Sequence, residues 1–497
     1  MTPNQTTIHQ HLVRNVCAVS SCHIFPRLLI RSYVVTMSTD LQDSALQPAP
    51  NPRPLALTDF PVEIITRILE IVVELPTPEA YGNVTYTPPL RLGRICREWR
   101  EVAWSLPTLW SDIRVVVKPS ADEDQGENRV EILQGWLERG KQTLMRVEVI
   151  ETTFGTREMT ALVLGLLQPT SARWQSLNLH AAYPEDLDIS TLQLPFLRRL
   201  AIQCTTDSDE SEDTILDFDS STFRSVETLF ITRMPIRISS IYSQTDIGHH
   251  IADLSLAYIT VVEAVNLLTL ARRTIVSCRL QQIVAPDNWT RWESPQYITG
   301  WRSENPAILP HLSRLHIHWL GAPLRSVLAC IQTPALKEFH LSFGGWSTPL
   351  HHQFWDESIL GLFAGPNTSE SLEHLALDAE DLPLDVFTQM VVVCKGLKRM
   401  SIYVGSKSST ALLATLLGVE ESSPYLPHME YLEYLNSKDD MHDDPLLKAI
   451  KTRWRSPETA LRGVRFKHSD RPIVSRALEK EIDEGLDVRF GFGYDDD

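Results

Sequence analysis

The sequence predicts an α/β chain: a short N-terminal helical domain followed by an irregular solenoid of parallel strands and helices. Three observations carry that prediction. The pattern L-x-x-L-x-L, with any large apolar residue allowed at its fixed places, recurs twelve times from Leu144 onward. Apolar runs at helical spacing fill several gaps between copies. Ahead of the first copy, about fifty residues carry apolar side chains on helical stripes.

Composition sets the frame. The 497 residues suffice for two or three domains, or one domain plus a repeat array. Hydrophobic residues make up 43% and charged residues 22%, ordinary globular values. Acids outnumber bases 63 to 46, a formal net charge of -17, which argues against nucleic-acid binding because that needs clustered cations. The seven cysteines are widely spaced and form no C-x-x-C pair, so neither zinc nor a redox pair is expected, and a reducing cytoplasm or nucleus fits best. No apolar run reaches the ~18 residues of a membrane helix, so no membrane partner is expected.

Residues 1–56 are expected to be a disordered extension and linker. The first 36 hold Arg14, Arg27 and Arg31 but no acid. They suit an upstream extension with Met37 as the working start, or alternatively a mitochondrial targeting segment. Pro48, Pro50, Pro52 and Pro54 then mark the linker.

The helical domain is expected over 57–112. Its first helix begins at Phe60-Pro61, where proline suits a first turn, and Glu63 complements the helix dipole. Ile64, Ile65, Ile68, Leu69 and Val72 make one apolar face, and Pro76 and Pro78 end the helix. A second helix carries Leu92, Ile95, Cys96, Trp99, Val102 and Ala103 on one stripe, before Leu106-Pro107-Thr108-Leu109-Trp110. So small a unit cannot bury all these groups alone, so a partner or neighbouring domain must cover some of them.

Phe60-Pro61-Val62-Glu63-Ile64 with Ile68, then Ile95-Cys96-Arg97-Glu98-Trp99-Arg100, then Pro107-Thr108-Leu109-Trp110, resembles the F-box. That motif commonly reads L-P-x-E-I-x-x-x-I, V-C-[KR]-x-W-R and P-x-L-W. Phe60 replaces the usual leucine, and the loop at 75–89 is longer than in compact members. The resemblance implies a non-catalytic subunit of a ubiquitin ligase. Its helices bind a Skp-type adaptor, and through it a cullin, while the rest of the chain holds an unknown target protein. Carried over, the adaptor contacts are Phe60, Pro61, Ile64, Ile68, Leu92, Ile95, Cys96, Trp99, Leu109 and Trp110. Some of these could serve as internal core instead. The alternative is a stand-alone repeat scaffold without a ligase role.

The repeat region is expected over 129–470, followed by a C-terminal segment, 471–497, with an acidic tail. The acidic stretch 122–127 is expected to be a soft separator. Copies start at Leu144, Trp174, Leu197, Val226, Ile251, Ile275, Leu312, Leu336, Leu372, Leu397, Met429 and Leu461. Helical stretches include Ala161–Leu167, Val261–Leu270 and Leu384–Val393. Strand plus helix at this period resembles the leucine-rich repeat. The family's Asn or Cys five residues after the second leucine is missing in all twelve copies. Stacked apolar residues, rather than a side-chain ladder, are therefore expected to hold the turns together.

In that plan the last two leucines of a copy point inward, and the residue between them and the one after point outward. His316, His318 and His340 are then expected in one exposed patch, with Tyr403 in the equivalent slot two copies on. These four are the candidate target-binding residues, gripping less tightly as pH falls if the imidazoles must be neutral.

No catalytic, cofactor or metal site is expected. Gly135-x4-Gly140-Lys141-Gln142 nearly spells a phosphate loop, but Gln142 stands where Ser or Thr is needed, and a helical run precedes it. Gly140 instead suits a helix C-cap before a strand at Leu144–Ile150. His311, His316 and His318 lack a completing ligand for zinc. The acidic loop 207–213 is expected to be solvated, with Ser208 and Ser211 open to phosphorylation.

Overall fold

The structure is a computed structural model of the chain. It describes Glu63, Thr66 and Arg67, and then 97–491 apart from 119–122, 153–155, 188, 206–215, 219–223, 235, 239–249, 285–305, 319–326, 343–356, 364–367, 379–383, 404–416, 418–425, 436–444, 457–460 and 467–469. The chain divides into two units, Met1–Asp59 and Phe60–Asp497, and every described residue belongs to the second. The expectations for 1–56 and for 207–213 lie outside the described residues.

Among the described residues, fourteen strands form one parallel sheet in strict chain order. They are β1 (Asp112–Val117), β2 (Met145–Glu151), β3 (Trp174–Ala181), β4 (Arg199–Cys204), β5 (Thr228–Thr232), β6 (Asp253–Ala257), β7 (Ser277–Gln281), β8 (Arg314–His318), β9 (Glu338–Ser342), β10 (His374–Asp378), β11 (Arg399–Tyr403), β12 (Tyr431–Tyr434), β13 (Gly463–Phe466) and β14 (Asp487–Phe490). A parallel sheet in which each strand pairs with the next and returns on one side is a solenoid of mixed α/β content. All twelve copies of the apolar pattern lead into strands, β2 to β13.

The reason is the alternation of burial. In β8 Leu315 and Ile317 are 0% and 1% exposed, and in β9 Phe339 and Leu341 are both 0%. The first apolar residue of a copy, such as Leu312 or Leu336, is buried below the strand's start. Each full burial of such a side chain stabilises the fold by about 1.5–3 kcal/mol. Slipping the register by one would turn the whole set outward.

The returns follow the helical signals. Helix α1 is Arg97–Ser105, α2 Glu123–Gly140, α3 Arg157–Leu167, α4 Val261–Ala271 and α5 Leu384–Val393. In α3, Thr160, Val163, Leu164 and Leu167 are buried, an i, i+3, i+4, i+7 stripe against the sheet. A capping box starts α4: Glu263 N–H donates to Thr260 Oγ1, and Thr260 N–H donates to the Glu263 carboxylate.

The turns are tied together by main chain as well as by apolar groups. Arg233, Tyr258 and Gln282 occupy the same place in successive copies, and all have positive φ, 55°, 55° and 44°. Their N–H groups donate to Ala257, Gln281 and His318, the last residues of the next strands. The following residues, Met234, Ile259 and Ile283, are buried at the position where the family's Asn or Cys was missing. Backbone bonds plus apolar stacking thus replace a side-chain ladder here.

Several expectations need correction. Leu144 is 44% exposed, and Met145, fully buried, takes its place where a register shift lets β2 meet Trp174. The stretch expected as a soft separator instead contributes Glu123 onward to the first turns of α2, where acidic residues complement the helix dipole. Gly140 is the last helical residue, and the left-handed residue after it is Lys141 (φ 43°). Gly140 also packs closely: a Cβ there would lie 3.3 Å from the Trp110 carbonyl oxygen, a tight contact. The sheet also exceeds its expected limits. It begins at Asp112, inside the expected helical domain, and continues past 470 to β14.

Phe60, Pro61, Ile64, Ile68, Leu92, Ile95 and Cys96 lie outside the described residues. Trp99 stands in α1. Leu109 and Trp110, expected as adaptor contacts, are 3% and 1% exposed within the chain itself. Trp110 occupies the first apolar place of an unnoticed copy, Trp110-x-x-Ile113-x-Val115, which leads into β1. Its indole N–H donates to the Ala103 carbonyl at 2.9 Å, joining α1 to the sheet. Within the chain, both side chains serve as core, the other role open to them.

Candidate functional site

The outward face of β7 to β12 carries a continuous polar cluster. Strand alternation lifts three residues per strand to this face: one before, one between and one after the two buried positions. The parallel register then stacks equivalent residues from successive copies at about 4.8 Å. Arg279, His316 and His340 stand in one row, and His318 and Ser342 in the next.

His316 and His340 meet edge to face, with ring centroids 5.3 Å apart. His316 Nε2 lies 3.2 Å from Glu338 Oε1. An ionised carboxylate only accepts, so Nε2 carries the proton. His374 Nδ1 approaches the same Glu338 oxygen at 3.8 Å, and its Nε2 lies 3.2 Å from Ser401 Oγ. Ser401 donates to Glu433 Oε2 at 2.5 Å, so its oxygen must accept from His374 Nε2–H. Arg399 donates to Glu433 Oε1 at 2.6 Å, and Arg465 approaches that oxygen at 3.5 Å. His318 Nδ1 pairs with Ser342 Oγ at 2.6 Å.

The electrostatics follow from this packing. The hydrogen bond from His316 holds the Glu338 carboxyl down at about 2, against a smaller opposing effect of burial. Burial pushes His340 down to about 4, helped by the neighbouring His316 and His374 rings. Burial followed by Arg399 lowers His374, and burial followed by Arg279 lowers His318. For Glu433, burial pushes the pKa up, but the bonds from Ser401 and Arg399 outweigh it and leave the carboxyl below its ordinary value. At neutral pH these carboxylates are charged, and His318, His340 and His374 are neutral.

The structure therefore brings His316, His318 and His340 together, half-buried rather than fully exposed. Tyr403 lies in the His318 row but three strands away, opposite Asp378 of β10. Sequence reasoning missed Arg279, Glu338, His374, Arg399, Ser401 and Glu433. Three of these, Glu338, His374 and Arg399, precede the second leucine of their copies, and the same alternation that selected His316 puts them on this face.

The chemistry is that of fixed donors and acceptors. A nucleophile relay places the base between serine and carboxylate. Here Ser401 is in the middle, gives its proton to Glu433, and is 1% exposed. Among the described residues, no group of three or more His, Cys, Asp or Glu is arranged to hold a metal ion, and no helix is long and apolar enough to cross a membrane. No protein-family model and no curated protein matches this chain.

Proposed function

We propose that the chain is a non-catalytic substrate-recognition subunit of a ubiquitin ligase of the Skp/cullin/F-box type, working in the cytoplasm or nucleus. The F-box-like segment takes the Skp adaptor, and the sheet face takes the target. The supporting observation is how Pro107-Thr108-Leu109-Trp110 is used. The final part of the F-box-like sequence is also the start of the solenoid, with Trp110 buried at its head. A hairpin bound to an adaptor would then be rigidly coupled to the recognition sheet, a linkage that holds a target at a fixed place. The half-buried donors and acceptors around His316 suit protein recognition, where a few oriented polar groups set specificity.

Affinity purification of the full chain from its own cells tests the reading. A Skp adaptor and a cullin are expected to co-purify. Recovery of other proteins without either would favour the stand-alone scaffold instead.

A further inference from the structure

We propose that the centre of the sheet face binds a carboxylate of an acidic segment in the partner protein, through Arg279 flanked by Ser255 and His316. The inference rests on the sheet face being a recognition surface, and it holds whether or not an adaptor binds elsewhere.

Ser255, Arg279, His316 and His340 are in register on β6, β7, β8 and β9. Their side chains form a row about 4.8 Å apart from strand to strand. Arg279 is half-buried, and none of its row neighbours is an acid. Among the described residues no carboxylate pairs with it. The other arginines nearby are engaged: Arg314 with Asp253 at 3.6 Å, and Arg399 with Glu433 at 2.6 Å. A guanidinium drawn out of bulk water without a counter-charge is a costly arrangement that an incoming anion relieves.

Beside it, Ser255 Oγ is buried and has no hydrogen-bond partner among the described residues. Ser255 as a residue is only half-buried, so rotation of its unsatisfied hydroxyl toward the row would give an incoming carboxylate one further donor beside Arg279. The charge count favours a monoanion. Arg279 is a single cation, His316 already gives its Nε2 proton to Glu338, and that fixed carboxylate stands one strand from His316 and repels a doubly charged group. The whole chain is strongly acidic, so an acidic partner approaches only where a local cation invites it.

The test uses the full chain and labelled deca-glutamate, deca-glutamine and phosphoserine-containing peptides, with binding followed by fluorescence anisotropy. Deca-glutamate is expected to bind and deca-glutamine not. Arg279→Gln is expected to weaken deca-glutamate about tenfold or more, as loss of a charge-assisted pair does. Arg489→Gln, which removes an exposed cation already paired with Asp487 at 2.9 Å, is expected to change it less than about twofold. Arg279→Lys keeps the charge and is expected to keep most of the affinity. Ser255→Ala is expected to weaken it about threefold, which keeps the test valid if Arg279→Gln does not fold. Equal losses in the Arg279 and Arg489 variants would overturn the proposal, as would binding of the phosphoserine peptide alone. Capture of a Skp adaptor by Arg279→Gln, measured in parallel, separates failure here from failure of the ligase reading.

Discussion

Trp136 of α2 donates its indole N–H to the main-chain carbonyl of Trp110 at 2.9 Å, and the two rings meet edge to face with centroids 4.7 Å apart. Arg139, one helical turn on, lies 5.0 Å from the Trp110 ring centre and the same distance from Trp104. This cluster seals the first turn of the solenoid. Trp136→Phe is expected to keep the ring contact and lose the hydrogen bond, costing about 1 kcal/mol. Trp136→Ala opens a cavity and is expected to cost about 3–5 kcal/mol. Chemical denaturation of both variants checks the order.

Trp99 and Trp110 belong to the same F-box-like segment but are expected to respond differently. Trp99→Ala is expected to weaken adaptor binding by about 2 kcal/mol or more, with the melting temperature nearly unchanged. Trp110→Ala, at a site 1% exposed, is expected to lower the melting temperature first. Calorimetry with a purified Skp adaptor, beside thermal melts, distinguishes them. A folded Trp99→Ala chain with full affinity would remove Trp99 from the interface.

Acid should act on the solenoid in two windows. His340 is depressed to about 4 from an ordinary 6.5. The unfolded chain therefore takes up that proton first, and stability present above pH 6.5 is lost as pH falls toward 4. Glu338, depressed to about 2 from 4.5, contributes stability above pH 4.5 that is lost as pH falls toward 2. His340→Gln is expected to flatten the first window by about 1–2 kcal/mol after solvent screening, and Glu338→Gln the second. Denaturant midpoints measured from about pH 7.5 to about 2 provide the check; a His340→Gln profile parallel to the parent would refute the assignment.

Gly396 lies between α5 and β11, where a Cβ would fall well inside contact distance of the Glu370 carbonyl oxygen in the preceding turn. Main chain cannot swing aside like a flexible side chain. Gly396→Ala is expected to destabilise by about 1–3 kcal/mol, whereas Gly165→Ala, with nothing within 4 Å, is expected to be neutral or stabilising. Thermal melts of the pair test this.

Much of the fold was legible because each copy states its own burial. Leu197, Leu200 and Ile202, or Leu312, Leu315 and Ile317, have one arrangement that removes all three from water, a turn followed by a strand. The two strands that escaped notice show the limit. β1 follows Trp110, which the F-box resemblance had already claimed. At β14 the first place of the copy is Gly485, and Leu486 is buried one residue later. The polar cluster was half legible: alternation within a copy selects the three histidines, but nothing local in the sequence links them to Glu338, His374 and Glu433.

The sequence by itself determined most of the inward-facing side chains and the places of twelve strands, β2 to β13, because periodicity of apolar residues is local information. Only the tertiary structure decided which outward residues become neighbours. Glu338 and His374, or Arg399 and Glu433, are far apart along the chain and separated by returns of unequal length. Their meeting depends on the hydrogen-bonded register of successive strands, which pairs His374 with Glu338 and Ser401 with Glu433. The same register leaves Arg279 between Ser255 and His316, with a charge that no neighbouring strand balances.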